Sequence, residues 1–250
     1  MNQIIDMTPI LNMDECVISQ SAIKSTIYTI TFLKNNKNII NSVVKTKILM
    51  GATAYDNYYS CSFKATSVCS FKQFQMYLKE KNGDITLPYD FTLRLISNLS
   101  SQLKYLVTFC NVTFVGYDLD NIIVIDYNKF IYVNQVINIT DNLITLTCPF
   151  TKYDFFMSPE LICVDSLPCK IDYRSIYYSF ACLIIYCITC QLYNSSQIID
   201  TYCVYDYFKI YKYSEETTNI DNLPIKGTKL FGLLKRCLEK DINYRCILYI

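Results

Sequence analysis

From Ser175 to Ile199 the chain carries no charged residue, and Ile176 to Tyr193 is largely apolar. A stretch of this kind belongs either in a bilayer or at the centre of a core. Its apolar part is at the lower edge of what spans a membrane. Tyr177, Tyr178, Ser179, Thr189 and Gln191 dilute it, and neither flank carries a basic cluster. The sequence therefore predicts a buried central helix over 172–191. That helix requires a domain large enough to surround it, which 250 residues can supply.

The chain contains no His and no Trp. Without His there is no Ser-His-Asp triad, no Cys-His dyad, no imidazole zinc ligand and no imidazole general base. Five glycines leave little material for a phosphate-cradling loop. Twenty-three basic against 22 acidic residues argue against an electrostatic nucleic-acid binder. The N-terminus has acids at Asp6, Asp14 and Glu15 and no basic region, so it does not read as a secretory signal. Thirteen scattered cysteines fit free thiols in a reducing cytoplasm. Cys187 and Cys190 form a C-x-x-C in an apolar run and read as two small buried side chains. The Ile, Asn, Tyr and Lys bias is what an AT-rich genome produces, and a large DNA virus is one such source.

Residues 1–14 read as a loose leader. Strands are expected at Ser25 to Phe32, Ile39 to Ile48 and Tyr58 to Ala65, with a turn at Asn35 to Asn38. The period then changes. A helix is expected over Ser70 to Glu80, ended by Asn82-Gly83, and Pro88 opens a longer one. Phe91, Leu95, Ile96, Leu99, Leu103, Leu106 and Val107 give the longer helix one apolar face. Two short strands, Ile122 to Asp126 and Phe130 to Val133, flank a turn at Tyr127 to Lys129. A loop is expected to about Ser158, then helices near 172–191 and 228–239.

Three segments in this order carry a resemblance. Phe156-Met157-Ser158-Pro159-Glu160-Leu161 looks like the A-P-E motif that closes a kinase activation segment. Asp172 to Leu183 resembles the start of the family's central helix, with Ile176 where Asp is usual and Ala181 where Gly is usual. Leu234 to Asp241, followed by Arg245, resembles the family's last conserved segment, with Ile242 in place of Pro. The chain thus resembles the protein kinase superfamily in a degenerate form, best from Phe71 onward. The resemblance implies an α+β, bilobal fold: a reduced antiparallel β lobe over 1–69 and a mainly helical lobe over 70–250. It also implies a scaffold ion pair between Glu160 and Arg245.

The catalytic parts of that family fare less well. Set against H-R-D-x-x-x-x-N, the segment from Phe114 to Asn121 puts Phe114 at the His, Gly116 at the base and Asn121 at the metal-ligand position. A shifted alignment, with two residues deleted, makes Asp118 the base. Asn134 stands at the D-F-G Asp, and a neutral amide is a poorer Mg²⁺ ligand than a carboxylate. The glycine loop should fall near Ile18 to Ser25, where there is no Gly. Lys45 is the candidate strand-three lysine, and no Glu follows it before Glu80. The regulatory helix that should carry that Glu is expected to be missing.

The implied function is a pseudokinase: a protein-binding or regulatory scaffold with little or no phosphotransfer. No cofactor is expected, beyond weak ATP through Lys45 and Asn121 and weak Mg²⁺ at Asn121 and Asn134. The implied partner is a protein, with a kinase or a kinase substrate as the candidates, and neither nucleic acid nor membrane is expected. The alternatives are an atypical phosphotransferase using Asp118, and an unrelated cytosolic or membrane-associated protein.

Overall fold

The computed structural model describes residues 7–34, 36–55, 59–150, 156–190, 192–193 and 217–247. It is a mixed α+β protein whose main sheets are antiparallel. The chain divides into two compact units.

The first unit comprises Met1–Tyr77, Leu93–Val112 and Leu119–Val136. Its main sheet contains β1 (Met7–Asn12), β2 (Cys16–Ser21), β3 (Ile27–Phe32), β4 (Thr53–Ala54) and β5 (Ser60–Lys64), in the order β1-β2-β3-β5-β4. The leader expected over 1–14 is thus a paired strand from Met7. Ile18, Tyr28, Ile30, Phe32, Cys61 and Phe63 alternate inward from β2, β3 and β5 and are buried.

Helix α1 (Lys37–Lys45) lies between β3 and β4. This corrects the strand expected over Ile39 to Ile48. The β-branched residues there raise strand propensity, but Ile39, Ile40 and Val43 recur at one- and four-residue steps and bury a single helical face. Tertiary burial overrides propensity. Helix α1 ends at Lys45 and so lies before, not after, the lysine behind which the regulatory helix is expected.

A second sheet in this unit pairs β6 (Val68–Ser70), β8 (Ile122–Ile125) and β9 (Lys129–Tyr132) in the order β6-β8-β9. The turn after β8 has positive φ at Asp126 (52°) and Tyr127 (54°). Helices α2 (Phe71–Asn82) and α3 (Tyr89–Tyr105) begin where the sequence predicts. Leu95, Ile96, Leu99 and Leu103 form the buried face of α3. The open edge of β9 is closed by two α3 side chains four residues apart. Asn98 Oδ1 accepts from Phe130 N at 2.9 Å. Gln102 accepts from Tyr132 N at 3.0 Å and donates to its carbonyl at 2.9 Å. This satisfies backbone groups that would otherwise be buried without partners.

The second unit comprises Leu78–Thr92, Thr113–Asp118 and Ile137–Ile250. Its sheet is ordered β12-β11-β10-β7, from β7 (Val112–Phe114), β10 (Val136–Thr140), β11 (Leu143–Leu146) and β12 (Cys169–Asp172). The β10–β11 hairpin falls in the stretch expected to be loop. Asp141 and Asn142, with φ of 52° and 64°, form its two-residue turn, as the right-handed twist of flanking strands requires. Helix α4 (Pro159–Ile162) is capped by Ser158, whose hydroxyl accepts from Leu161 N at 3.4 Å.

Helix α5 (Ser175–Thr189) is the buried central helix, with every residue from Tyr178 to Cys187 inaccessible. Gln191 lies outside the described residues. Among the described residues, no helix is long and apolar enough to cross a membrane. A two-residue parallel pair follows, β13 (Leu192–Tyr193) with β14 (Thr217–Thr218). Helix α6 (Lys229–Cys237) is capped by Thr228 and buries Leu230, Leu233, Leu234 and Cys237.

Candidate functional site

In the second unit, β7 delivers the segment that the sequence aligns with a catalytic loop. Phe114 is buried and its ring lies 5.8 Å from that of Tyr117, which in turn lies 5.6 Å from Phe180 of α5. An aromatic ring at the expected His position therefore fills apolar space. Gly116 follows and has no side chain to accept a proton. Tyr117 is fixed through its backbone: its N–H donates to Ser179 Oγ at 2.8 Å and its carbonyl accepts from Phe156 N at 2.7 Å. These bonds join the segment to α5 and to the start of the A-P-E-like motif. Asp118 comes next, is buried, and is the sole carboxylate between Val112 and Leu119.

The other expected ligand positions belong to the first unit. The Asn121 carbonyl accepts from Val133 N at 3.0 Å, which sets Asn121 at the base of the β8–β9 hairpin. The Asn134 amide donates to Tyr132 Oη at 3.0 Å, and its Oδ1 accepts from Gln135 N at 2.7 Å. Its side-chain oxygen thus bonds the backbone of the following residue. Gln135 reaches Glu15 Oε1 at 2.9 Å and ties this segment to the β1–β2 turn. That turn is short and glycine-free, closed by Met13 N donating to the Cys16 carbonyl at 2.9 Å. The glycine-loop position expected at Ile18 to Ser25 is instead strand β2 and the β2–β3 turn. Lys45 is likewise not on a strand. It is the exposed last residue of α1, because the Val43-Val44-Lys45 run is helical.

Glu160 and Arg245 meet in a bidentate pair, with both N···O distances 2.8 Å. The Arg245 side chain is fully buried. Its Nε donates to the Glu239 carbonyl at 2.7 Å and its guanidinium lies 5.0 Å from the centre of the Tyr178 ring. A buried guanidinium needs this planar, fully occupied environment to offset its desolvation. Beside it, Asp172 accepts from Arg174 N and Nε at 2.9 Å. Arg174 also reaches Asn243 Oδ1 at 3.1 Å. Burial alone would raise the Asp172 carboxyl, but these bonds from Arg174 hold it below its ordinary value.

Three contributors escaped sequence reasoning. Ser179 is one of the polar residues that dilute the apolar run, but a lone hydroxyl there does not say what it bonds. Glu15 falls between the leader read over 1–14 and the first expected strand, where its sequence gives no partner. Asp126 follows β8 in an Asp-Tyr-Asn turn; its Oδ1 accepts from Thr66 N at 2.6 Å, Thr66 Oγ1 at 2.7 Å and Ser67 N at 3.2 Å. Among the described residues no group of three or more Cys, Asp or Glu is placed to hold a metal ion. No family model matches the chain, and no curated protein sequence matches it either.

Proposed function

We propose that the chain is a pseudokinase: a degenerate kinase-like bilobal protein that serves as a protein-binding or regulatory scaffold with little or no phosphotransfer. One contrast carries the reading. The Glu160–Arg245 scaffold pair is fully formed, while the position aligned with the base is Gly116. Further support comes from residues 7–64 of the first unit, which run as three strands, one helix and two strands. That helix, Lys37–Lys45, contains no Glu to pair with a strand lysine. Kinase catalysis is chiefly positioning and charge stabilisation, so loss of these groups removes most of the rate.

The test is thermal unfolding of the full chain with about 1 mM ATP, with Mg²⁺ or EDTA. The expectation is no metal-dependent shift, or one smaller than the about 1.4 kcal/mol that a ligand at ten times its dissociation constant adds, because that constant is expected to exceed about 0.1 mM. A rise of about 2–4 °C would overturn the non-binding part of the reading.

A second reading is favoured by the anchoring of Tyr117. Its two backbone bonds hold the next residue, Asp118, in a fixed position, as the shifted alignment requires of a base. Phosphate transfer that is lost in Asp118→Ala, with unfolding unchanged, would select an atypical phosphotransferase over the scaffold.

A further inference from the structure

The near-zero net charge conceals a separation of charge. Residues 16–79 contain eight lysines and a single acid, Asp56, which lies outside the described residues; the rest of the chain has 15 basic and 21 acidic residues. All eight lysines are exposed.

The topology gathers four of them at one end of the five-stranded sheet. Strands β3 and β5 pair Ile27 with Lys64. Lys24 lies in the turn entering β3, where its carbonyl accepts from Ile27 N at 2.9 Å. On the other side, Lys64 N donates to the Met50 carbonyl at 3.0 Å, and a Cβ placed on Gly51 would sit 3.7 Å from Lys64 Cδ. Helix α1 runs back from the far end of β3 and finishes at Lys45, two residues before Lys47, in the loop leading to Met50. Lys24, Lys45, Lys47 and Lys64 therefore share one end of the sheet. Asp126 approaches the same end through Thr66 and Ser67, and its carboxylate is taken by three hydrogen bonds there. Among the described residues, none of the four lysines is in an ion pair.

Two large aliphatic side chains stand exposed among them: Ile23, at 74%, and Met50, at 61%. The exposed aromatic residues of this sheet, Tyr55 and Tyr59, flank the far end of the β4–β5 hairpin, where Tyr55 N donates to the Ser60 carbonyl. A single-stranded nucleic-acid surface needs stacking rings or arginines among its cations. This end has no arginine, and among the described residues of the sheet itself the exposed rings lie at the other end. Lysines that flank exposed aliphatic tips suit a surface where charge meets hydrocarbon, which is the boundary of an anionic bilayer.

We infer that this end of the sheet is a peripheral docking surface for an anionic membrane, with Lys24, Lys45, Lys47 and Lys64 at the headgroups and Ile23 and Met50 entering the acyl boundary. The inference does not depend on the kinase-like reading, and it departs from the sequence expectation of no membrane partner.

The test is co-sedimentation of the full chain with phosphatidylcholine vesicles, with or without about 30 mol% phosphatidylserine. Binding is expected only with the anionic lipid and should weaken as salt is raised. Each lysine near the surface contributes about a fivefold factor, so Lys24→Gln, Lys45→Gln, Lys47→Gln and Lys64→Gln together should lower affinity by at least about 100-fold. Neutralising Lys226, Lys229, Lys235 and Lys240 instead removes the same charge elsewhere and should leave binding in place. Ile23→Ser with Met50→Ser should weaken binding with the charges retained. If the quadruple variant fails to unfold cooperatively, Lys47→Gln and Lys64→Gln alone replace it, each expected to lose about fivefold. Equal pelleting with neutral vesicles, no pelleting, equal loss in the two four-lysine sets, or tighter binding to a single-stranded RNA oligonucleotide would overturn the inference.

Discussion

The backbone N–H of Tyr117 donates to the hydroxyl of Ser179 at 2.8 Å, across 62 residues of sequence. Both groups are buried, and Ser179 lies on the central helix α5. The resemblance expects an Asp one turn earlier on this helix, where the chain has Ile176. Ser179 thus supplies a polar acceptor on a helix that is otherwise apolar at this level.

Removing that acceptor should be costly out of proportion to its size. Ser179→Ala leaves a buried N–H without its partner, at a cost of about 1–3 kcal/mol. Urea unfolding should show the loss at an unchanged slope, and amide exchange at Tyr117 should accelerate more than at neighbouring core positions. Unchanged exchange at Tyr117 would mean that the hydroxyl does not hold this backbone.

Arg245 makes a parallel case with charge. Glu160→Ala strips the partner from a guanidinium with no exposed surface, and breaking such pairs costs about 3–5 kcal/mol when both ends are buried. Glu160 is one-quarter exposed, so about 2–4 kcal/mol is expected here. Arg245→Lys should recover little, because a point-like ammonium cannot form the two parallel bonds or bond the Glu239 carbonyl at the same time. Exchanging the two residues should fail as well, since Tyr178 and the Glu239 carbonyl suit only a cation at position 245. A stable exchanged variant would show that the pair, and not its surroundings, decides the site.

What could be read from the sequence follows a physical divide. Helix α3 announces itself because apolar residues recur at helical steps after Pro88, and α5 because a long charge-free apolar run must lie in a core. The Glu160–Arg245 pairing was legible because two charged residues stood within recognisable flanking motifs. Helix α1 was not, because Ile39, Ile40, Val43 and Val44 weight the segment toward strand and only the burial of Ile39, Ile40 and Val43 on one helical face decides the matter. The β10–β11 hairpin could have been found: Asp141-Asn142 between two alternating β-branched runs is a hairpin signal. Nothing in the sequence around Asn98 and Gln102 announces their role, which only the open edge of β9 explains.

Acid should act on the first unit through Asp126. Burial alone would raise this carboxyl, but hydrogen bonds from Thr66 and Ser67, with the Lys129 charge, hold it below its ordinary value. A group whose folded pKa is depressed binds fewer protons when folded. Its contribution is complete above the unfolded carboxylate value of about 3.9 and is lost as pH falls through the lower folded value. Asp126→Asn should therefore lower the urea midpoint at pH 7 and reduce the further drop between pH 5 and pH 3. An undiminished drop in the variant would assign the acid response to other carboxylates, with Asp172 the next to test because its bonds with Arg174 depress it in the same direction.

The thiols offer a last and separable prediction. Cys187 is wholly buried at the end of α5, and burial raises its thiol well above the ordinary range. Cys190, at the helix C-cap with φ of 54°, is pushed up to about 11, chiefly by burial. Burial likewise carries Cys61 and Cys69 to about 11 and Cys16 and Cys237 to about 12. A thiol of pKa 11 is about one part in a thousand thiolate at pH 8, and the thiolate is the reactive form. Aromatic disulfide reagent should thus label Cys148 and Cys163, which are exposed, while the buried set reacts only on unfolding. Cys148→Ser with Cys163→Ser should remove two equivalents of rapid labelling. The folded chain should not capture a vicinal-dithiol arsenical through Cys187 and Cys190. Capture that is lost in Cys190→Ser would instead make the C-x-x-C a reactive pair, and the helix end would then have to open for Cys187 to take part.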